Sequence, residues 1–164
     1  KPTSMVIMVQ REVANDMGAK SGDMSLLSLA IQIYSTVEYI VDAPPTCFNP
    51  PPKVYSTVIK LKPTQETRIN FESADDFFKL AKCGFKSPRK QLHNSLSDGL
   101  FITLDDARAI VEETGFETSR RPATLSLDDW QILYDVWVKA GRPKQVQGSV
   151  RRKRQNAQNK QLPK

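Results

Sequence analysis

The chain has 164 residues, 39% of them hydrophobic and 26% charged, with a formal net charge of +6. That composition is expected of a soluble globular protein holding one ordinary domain, or one small domain and part of another. No apolar run nears the roughly 18 residues of a membrane-spanning helix and the N-terminus lacks a signal-peptide layout. Two cysteines outside any CxxC pair and a single histidine leave no zinc ligand set, so the expectation is a cytoplasmic protein without a metal and with free thiols at Cys47 and Cys83.

The first element is the apolar run from Met5 to Val9 in "SMVIMVQ". Such a run predicts a parallel strand covered on both faces, one that begins in the middle of a sheet. "REVANDMGA" predicts a short helix, and "DMSLLSLAIQIYST" a longer one, with Met24, Leu27, Ile31 and Tyr34 recurring at helical spacing. "VEYIVDA" and "KVYSTVIKLKP" read as strands from their β-branched content and alternation. They are joined by "PPTCFNPPP", in which Pro50, Pro51 and Pro52 each fix φ and remove a backbone donor, so the connector is stiff and extended.

After "TQETRINFE" the pattern turns helical. Ser73 with Asp76 three residues on predicts a cap ahead of "DFFKLAKCGF", and Pro88 predicts the first turn of "PRKQLHNSLS". Thr103 before "LDDARAIVEET" with Gly115 after it, and Ser126 before "LDDWQILYDVWVKA" with Gly141 after it, mark two more helices. Trp130 and Trp137, seven apart on the last of these, are expected to pack in a core rather than stack on bases. The fold class is therefore α/β followed by all-α, in segments 1–63 and 64–141.

The basic balance belongs to the end of the chain. Residues 142–164 carry eight cations and no acid, whereas residues 1–141 carry sixteen cations against eighteen acids. The terminal segment is polar, is expected to be disordered, and its "RRKR" is suited to phosphates without sequence choice. A second basic cluster, Lys79, Lys82, Lys86, Arg89 and Lys90, has no acid until Asp98. Placed at a predicted helix start, it is expected to position RNA phosphates, against the plainer reading of a solvated helix face.

His93, Ser95 and Asp98 do not form a hydrolase triad, since such a triad draws its groups from different parts of a fold and not from one helix. "NPPP" at Asn49 is not the Asn/Asp-Pro-Pro-aromatic segment of amino-methyltransferases either. Pro52 holds the aromatic position, and the aromatic residue, Phe48, comes before the prolines.

"MVIMVQREVA", "LSLAIQIY", "FNPPPKVYSTVIKL", "FKSPRKQLHNSL" and "RPATLSL" stand in the order and at the spacing found in the small-subunit ribosomal RNA adenine dimethyltransferases. The chain resembles that family over residues 4–138, most specifically in F-x-P-P-P-K-V-x-S-x-V and R-K-x-L-x-N-x-L. The resemblance implies the C-terminal part of a Rossmann-like methyltransferase sheet, a small helical RNA-binding domain and a basic tail. It implies an enzyme that moves methyl groups from S-adenosylmethionine to the exocyclic amines of two adjacent adenosines in small-subunit rRNA, acting as a monomer on the small ribosomal subunit. Phe48 then corresponds to the aromatic that lies against the flipped adenine. Lys53 ends the family's proline run, and Lys86, Arg89 and Lys90 fall in the RNA-contacting segment. Ser87 and Pro88 depart from the family's Q-R-R-K, so a weaker or reshaped contact is expected there.

The family's glycine-rich cofactor loop, ribose-binding acid and N-L-P-Y-type segment are not found among these residues, and the seven glycines form no GxGxG. The chain is thus expected to be a C-terminal portion that begins just before the fifth strand and is inactive alone. Two other readings stand beside this one. One is a non-catalytic RNA-binding or ribosome-assembly module. The other is a related methyltransferase acting on large-subunit RNA and conferring antibiotic resistance, for which the R-K-x-L-x-N segment is not expected.

Overall fold

The computed structural model describes residues 2–144. The described residues divide into two compact units: 2–72 with Pro122–Gln131, and Ser73–Arg121 with 132–144. These differ from the consecutive segments 1–63 and 64–141, because the 122–131 stretch is tied back to the first unit. The Ala123 carbonyl accepts the Gly22 and Met24 N–H groups (2.9 and 3.1 Å), and Ser21 Oγ donates to the Thr124 carbonyl (2.6 Å). Gln131 bonds both the N–H and the carbonyl of Asn70 (2.6 and 2.9 Å). The "RRKR" cluster lies outside the described residues.

In the first unit, β1 (Met5–Gln10), β2 (Ser35–Ala43) and β3 (Ser56–Pro63) form a sheet of order β1-β3-β2 with both pairs antiparallel. Alternation along β3 sends Thr57, Ile59 and Leu61 inward. Ile59 and Leu61 pack with Ala14 of α1 (Arg11–Met17), and Ile7, Val9, Met17, Ile31 and Val37 close around them.

The apolar run of β1 predicts a parallel strand covered on both faces, and among the described residues the structure shows neither. The strand pairs antiparallel with β3, and Val6 and Met8 are 63% and 52% exposed. They share this open face with Val41, 56% exposed, which meets Val58 in the register that also pairs Met8 with Val58.

The second helix, α2 (Leu26–Gln32), is shorter than its apolar spacing predicts. Ser25 and Ser28 cap it reciprocally. It stops because the carbonyls of Ile33 and Tyr34 turn to other partners, the N–H groups of Arg68 and Thr64 (2.9 Å each). The buried face is Met24, Ser28, Leu29 and Ile33, whereas Tyr34 is exposed.

In the second unit, α3 (Ala74–Gly84), α4 (Leu92–Leu100) and α5 (Leu104–Glu113) pack with the later part of α6 (Leu127–Lys139). Ser73 and Thr103 accept the predicted capping bonds from Asp76 and Asp106 (3.3 and 3.1 Å). Phe77 meets Tyr134 edge-on at 5.6 Å, and Trp137 is buried beside Tyr134. Trp130, on the part of α6 that belongs to the first unit, is buried as well, so both tryptophans serve packing.

Pro88 does not open α4. The helix begins at Leu92, whose N–H donates to the Arg120 carbonyl (2.8 Å). Residues 87–90 instead close a turn, with the Lys90 N–H on the Ser87 carbonyl (2.9 Å), and Ser95 Oγ donates to that same carbonyl (3.0 Å). The basic cluster is thus divided: Lys79 and Lys82 are on α3, and Lys86, Arg89 and Lys90 are on the turn between α3 and α4, not at the first turn of a helix.

Candidate functional site

The stiff connector between β2 and β3 runs from Pro44 to Tyr55. A 3-10 turn at Pro45–Cys47 opens it, with the Cys47 and Phe48 N–H groups donating to the Pro44 and Pro45 carbonyls (3.0 and 3.2 Å). Phe48 then leaves in extended geometry, φ −125° and ψ 152°, and its side chain is half-buried. Pro50, Pro51, Pro52 and Lys53 are all exposed, as are Val54 and Tyr55. The loop therefore carries two aromatic rings, half-buried Phe48 and exposed Tyr55, and an apolar rim, at a point where the backbone has little freedom to lose.

Both ends of this loop meet at one residue. Arg11, the first residue of α1, sends Nη2 to Asp42 Oδ2 at 2.9 Å and lays its guanidinium 4.0 Å from the centre of the Tyr55 ring. Its own N–H donates to the Tyr55 carbonyl (2.9 Å), and the other Asp42 oxygen accepts the Thr57 hydroxyl (2.6 Å). Sequence reasoning missed this cluster. The only available signal was the opposite charge of residues 31 positions apart, and the pairing is readable only once the register Asp42↔Thr57 and Gln10↔Ser56 is known.

Three of the expected RNA-contacting residues, Lys86, Arg89 and Lys90, are on the second unit. Lys86 Nζ donates to the Asp98 carbonyl (2.9 Å) and lies 5.0 Å from the Phe101 ring centre, while Lys90 Nζ pairs with the Asp98 carboxylate (2.9 Å). The two ammonium groups thus attend the C-terminal turn of α4, where the helix dipole favours cations and where Phe101 turns the chain at φ 58°. Arg89 is exposed on the 87–90 turn that precedes α4. Lys53 belongs to the first unit and is exposed.

The rejected triad divides as well. The buried His93 ring Nδ1 is 3.1 Å from the Thr118 carbonyl, Ser95 bonds Ser87, and Asp98 is held by Lys90. Among the described residues no group of His, Cys, Asp and Glu is gathered to hold a metal ion, and no helix is long and apolar enough to cross a membrane.

Cys47 is exposed on the loop, whereas Cys83 is half-buried against α4 with its thiol pKa pushed up by burial, although Lys86 and Lys79 pull it down. A raised pKa leaves less thiolate at any given pH. A maleimide or disulfide reagent at pH 7.5 is accordingly expected to modify Cys47 first, followed by peptide mass mapping; faster modification of Cys83 would contradict the geometry.

Comparison with known proteins gives the family. The sequence model described as "Ribosomal RNA adenine dimethylase" matches residues 1–131. This chain belongs to the ribosomal RNA adenine dimethylase family. A ribosomal RNA small subunit methyltransferase A from Dehalococcoides mccartyi is 40% identical over 138 residues, covering 84% of this chain and 47% of that protein. The namesake from Clostridioides difficile is 38% identical over 136 residues, 82% of this chain and 47% of that protein. The chain thus spans about half the length of the curated relatives it matches.

Among solved structures, a dimethyladenosine transferase from Plasmodium falciparum aligns with a TM-score of 0.70 at 24% identity, over 85% of this chain and 58% of that one. The 23S rRNA methyltransferase ErmE aligns at 0.58 and 17% identity, over 82% and 54%. At such identities the likeness is one of fold. The α/β unit and its helical companion belong to a methyltransferase fold.

Proposed function

We propose that this chain is part of an enzyme that transfers methyl groups from S-adenosylmethionine to the exocyclic amines of two adjacent adenosines in small-subunit rRNA, during ribosome biogenesis in the cytoplasm. The observation that carries the reading is the match to the adenine dimethylase family over residues 1–131, together with about 40% identity to proteins named for small-subunit rRNA methylation. In this reading the protein works as a monomer on the small subunit, the first unit supplies the base-facing loop with Lys53, and the second supplies further RNA contacts.

The methyl donor does not fit the residues present. β1 passes directly into α1 at Gln10 and Arg11 with no glycine between them. The positive-φ glycines Gly22, Gly115 and Gly141 stand singly, at one turn and beyond the ends of α5 and α6. Among the described residues no cofactor loop can be built from them, so this reading assigns its binding to a part of the longer parent protein. The open sheet face of Val6, Met8 and Val41 is the surface on which the rest of a Rossmann-like domain would be packed.

What these residues can do is hold the acceptor. An exocyclic amine conjugated with a purine ring is a poor nucleophile and has to be fixed in line with the donor, out of its stack. Phe48 offers a ring face to the extruded adenine, and the prolines keep it there at low entropic cost. Lys53 at the end of the proline run, exposed, is placed to meet phosphate, as is Arg89 on the second unit. Lys86 and Lys90 would share their charge between RNA and Asp98, which makes their RNA contact weaker than a count of cations suggests.

Isolated small ribosomal subunits incubated with the full-length parent and methyl-labelled donor are expected to take up label. The 164-residue chain alone is expected to transfer none and to show no donor binding by calorimetry. Tight binding by the chain alone would overturn the division of labour.

A further inference from the structure

We infer that Arg11 is a positioning residue: it clips together the two ends of the Pro44–Tyr55 loop and so holds Phe48 in place. The inference deepens the base-facing role proposed for Phe48 and, for its catalytic consequence, rests on that reading. Stiffness within the loop comes from its prolines, but prolines fix only local φ; they do not stop the whole loop from pivoting on its two stems. The stems are Asp42–Ala43 at the end of β2 and Tyr55–Ser56 at the start of β3.

Arg11 holds both. Its guanidinium pairs with Asp42 on the first stem (2.9 Å) and stacks over Tyr55 on the second (4.0 Å), and its N–H donates to the Tyr55 carbonyl (2.9 Å). The Thr57 hydroxyl, bonded to the other Asp42 oxygen at 2.6 Å, fixes the carboxylate that Arg11 engages. A guanidinium suits this position because one planar group can pair with a carboxylate at its edge and present its face to a ring; lysine offers a point charge only. The ion pair and the cation–π contact are partly exposed and individually weak, with the Arg11 and Asp42 side chains 41% and 49% exposed. The effect of losing them should therefore appear in loop mobility, with little change in global stability.

Cys47, exposed and adjacent to Phe48, is a reporter already in the loop. With Cys83 replaced by serine, a nitroxide on Cys47 of the 164-residue chain is expected to give a restricted spectrum. It should become distinctly more mobile in Arg11→Gln and in Asp42→Asn, remain intermediate in Arg11→Lys, and do so with a melting temperature close to that of the parent. Identical spectra in the parent and both variants overturn the inference, as does a melting temperature that falls in step with mobility. In the full-length protein, Arg11→Gln is expected to lower kcat by roughly tenfold at unchanged KM for the methyl donor, as a misplaced positioning group does. A mobile loop with unchanged kcat overturns the positioning role. The label reads the loop without any methylation assay, so failure of the enzymatic reading and failure of the clip are separately visible.

Discussion

Phe48→Leu in the full-length protein is expected to lower kcat by roughly 5- to 150-fold, the range that corresponds to about 1–3 kcal/mol for stacking of one base on an aromatic ring. The ring sits at the point where the 3-10 turn passes into the proline run, half-buried, on a backbone held by the Phe48 and Cys47 N–H bonds. Leucine preserves apolar packing there but offers no flat π-face. A side chain that merely plugs the sheet edge should tolerate it, with an effect on folding below about 1.5 kcal/mol. Turnover measured beside thermal unfolding separates the two, and an unchanged rate in a correctly folded variant removes Phe48 from the site.

Gly99→Ala is expected to destabilise the helical unit by about 1–3 kcal/mol, the usual cost of forcing an extra carbon into a packed interface. A Cβ at Gly99 of α4 would come within 2.5 Å of Cys83 Cβ, 2.7 Å of its Cα and 3.0 Å of its carbonyl oxygen. Two of these are backbone atoms of α3, so no side-chain rotation can relieve the contact and the helices must separate. On its helix propensity alone, alanine should stabilise by up to about 1 kcal/mol. The two expectations have opposite sign, and urea unfolding of the variant against the parent decides between them. A midpoint at or above the parent's would show that α3 and α4 are not packed this closely.

What was legible in the sequence was local chemistry. Ser73 and Thr103 cap their helices as the pattern predicts, and Ser126 and Asp129 exchange the two bonds of a capping box (3.1 and 2.9 Å). Gly115 and Gly141 take the positive φ expected of helix ends, at 78° and 79°. Trp130 and Trp137 are buried, and the proline loop joins two strands as alternation requires.

The failures needed partners distant in the chain. β1 is apolar on both faces, which periodicity reads as a covered parallel strand, yet its described neighbour is antiparallel and no described residues cover one of its faces. The start of α4 was misplaced because Pro88 suits a helix entry and a turn equally, and the Arg120 carbonyl, 28 residues beyond Leu92, settles the matter. The Arg11, Asp42 and Tyr55 cluster has no local signature at all. It exists because β1, β3 and β2 lie side by side in that order, which no window of sequence contains.

The most direct test of the central claim is the chemical identity and position of the product. Small ribosomal subunits lacking the modification, treated with the full-length protein and the methyl donor, should yield N6,N6-dimethyladenosine at two adjacent positions of the small-subunit RNA when its nuclease fragments are read by mass spectrometry. Methylation confined to large-subunit RNA, or RNA binding by the folded full-length protein with no methylated adenosine, would contradict it.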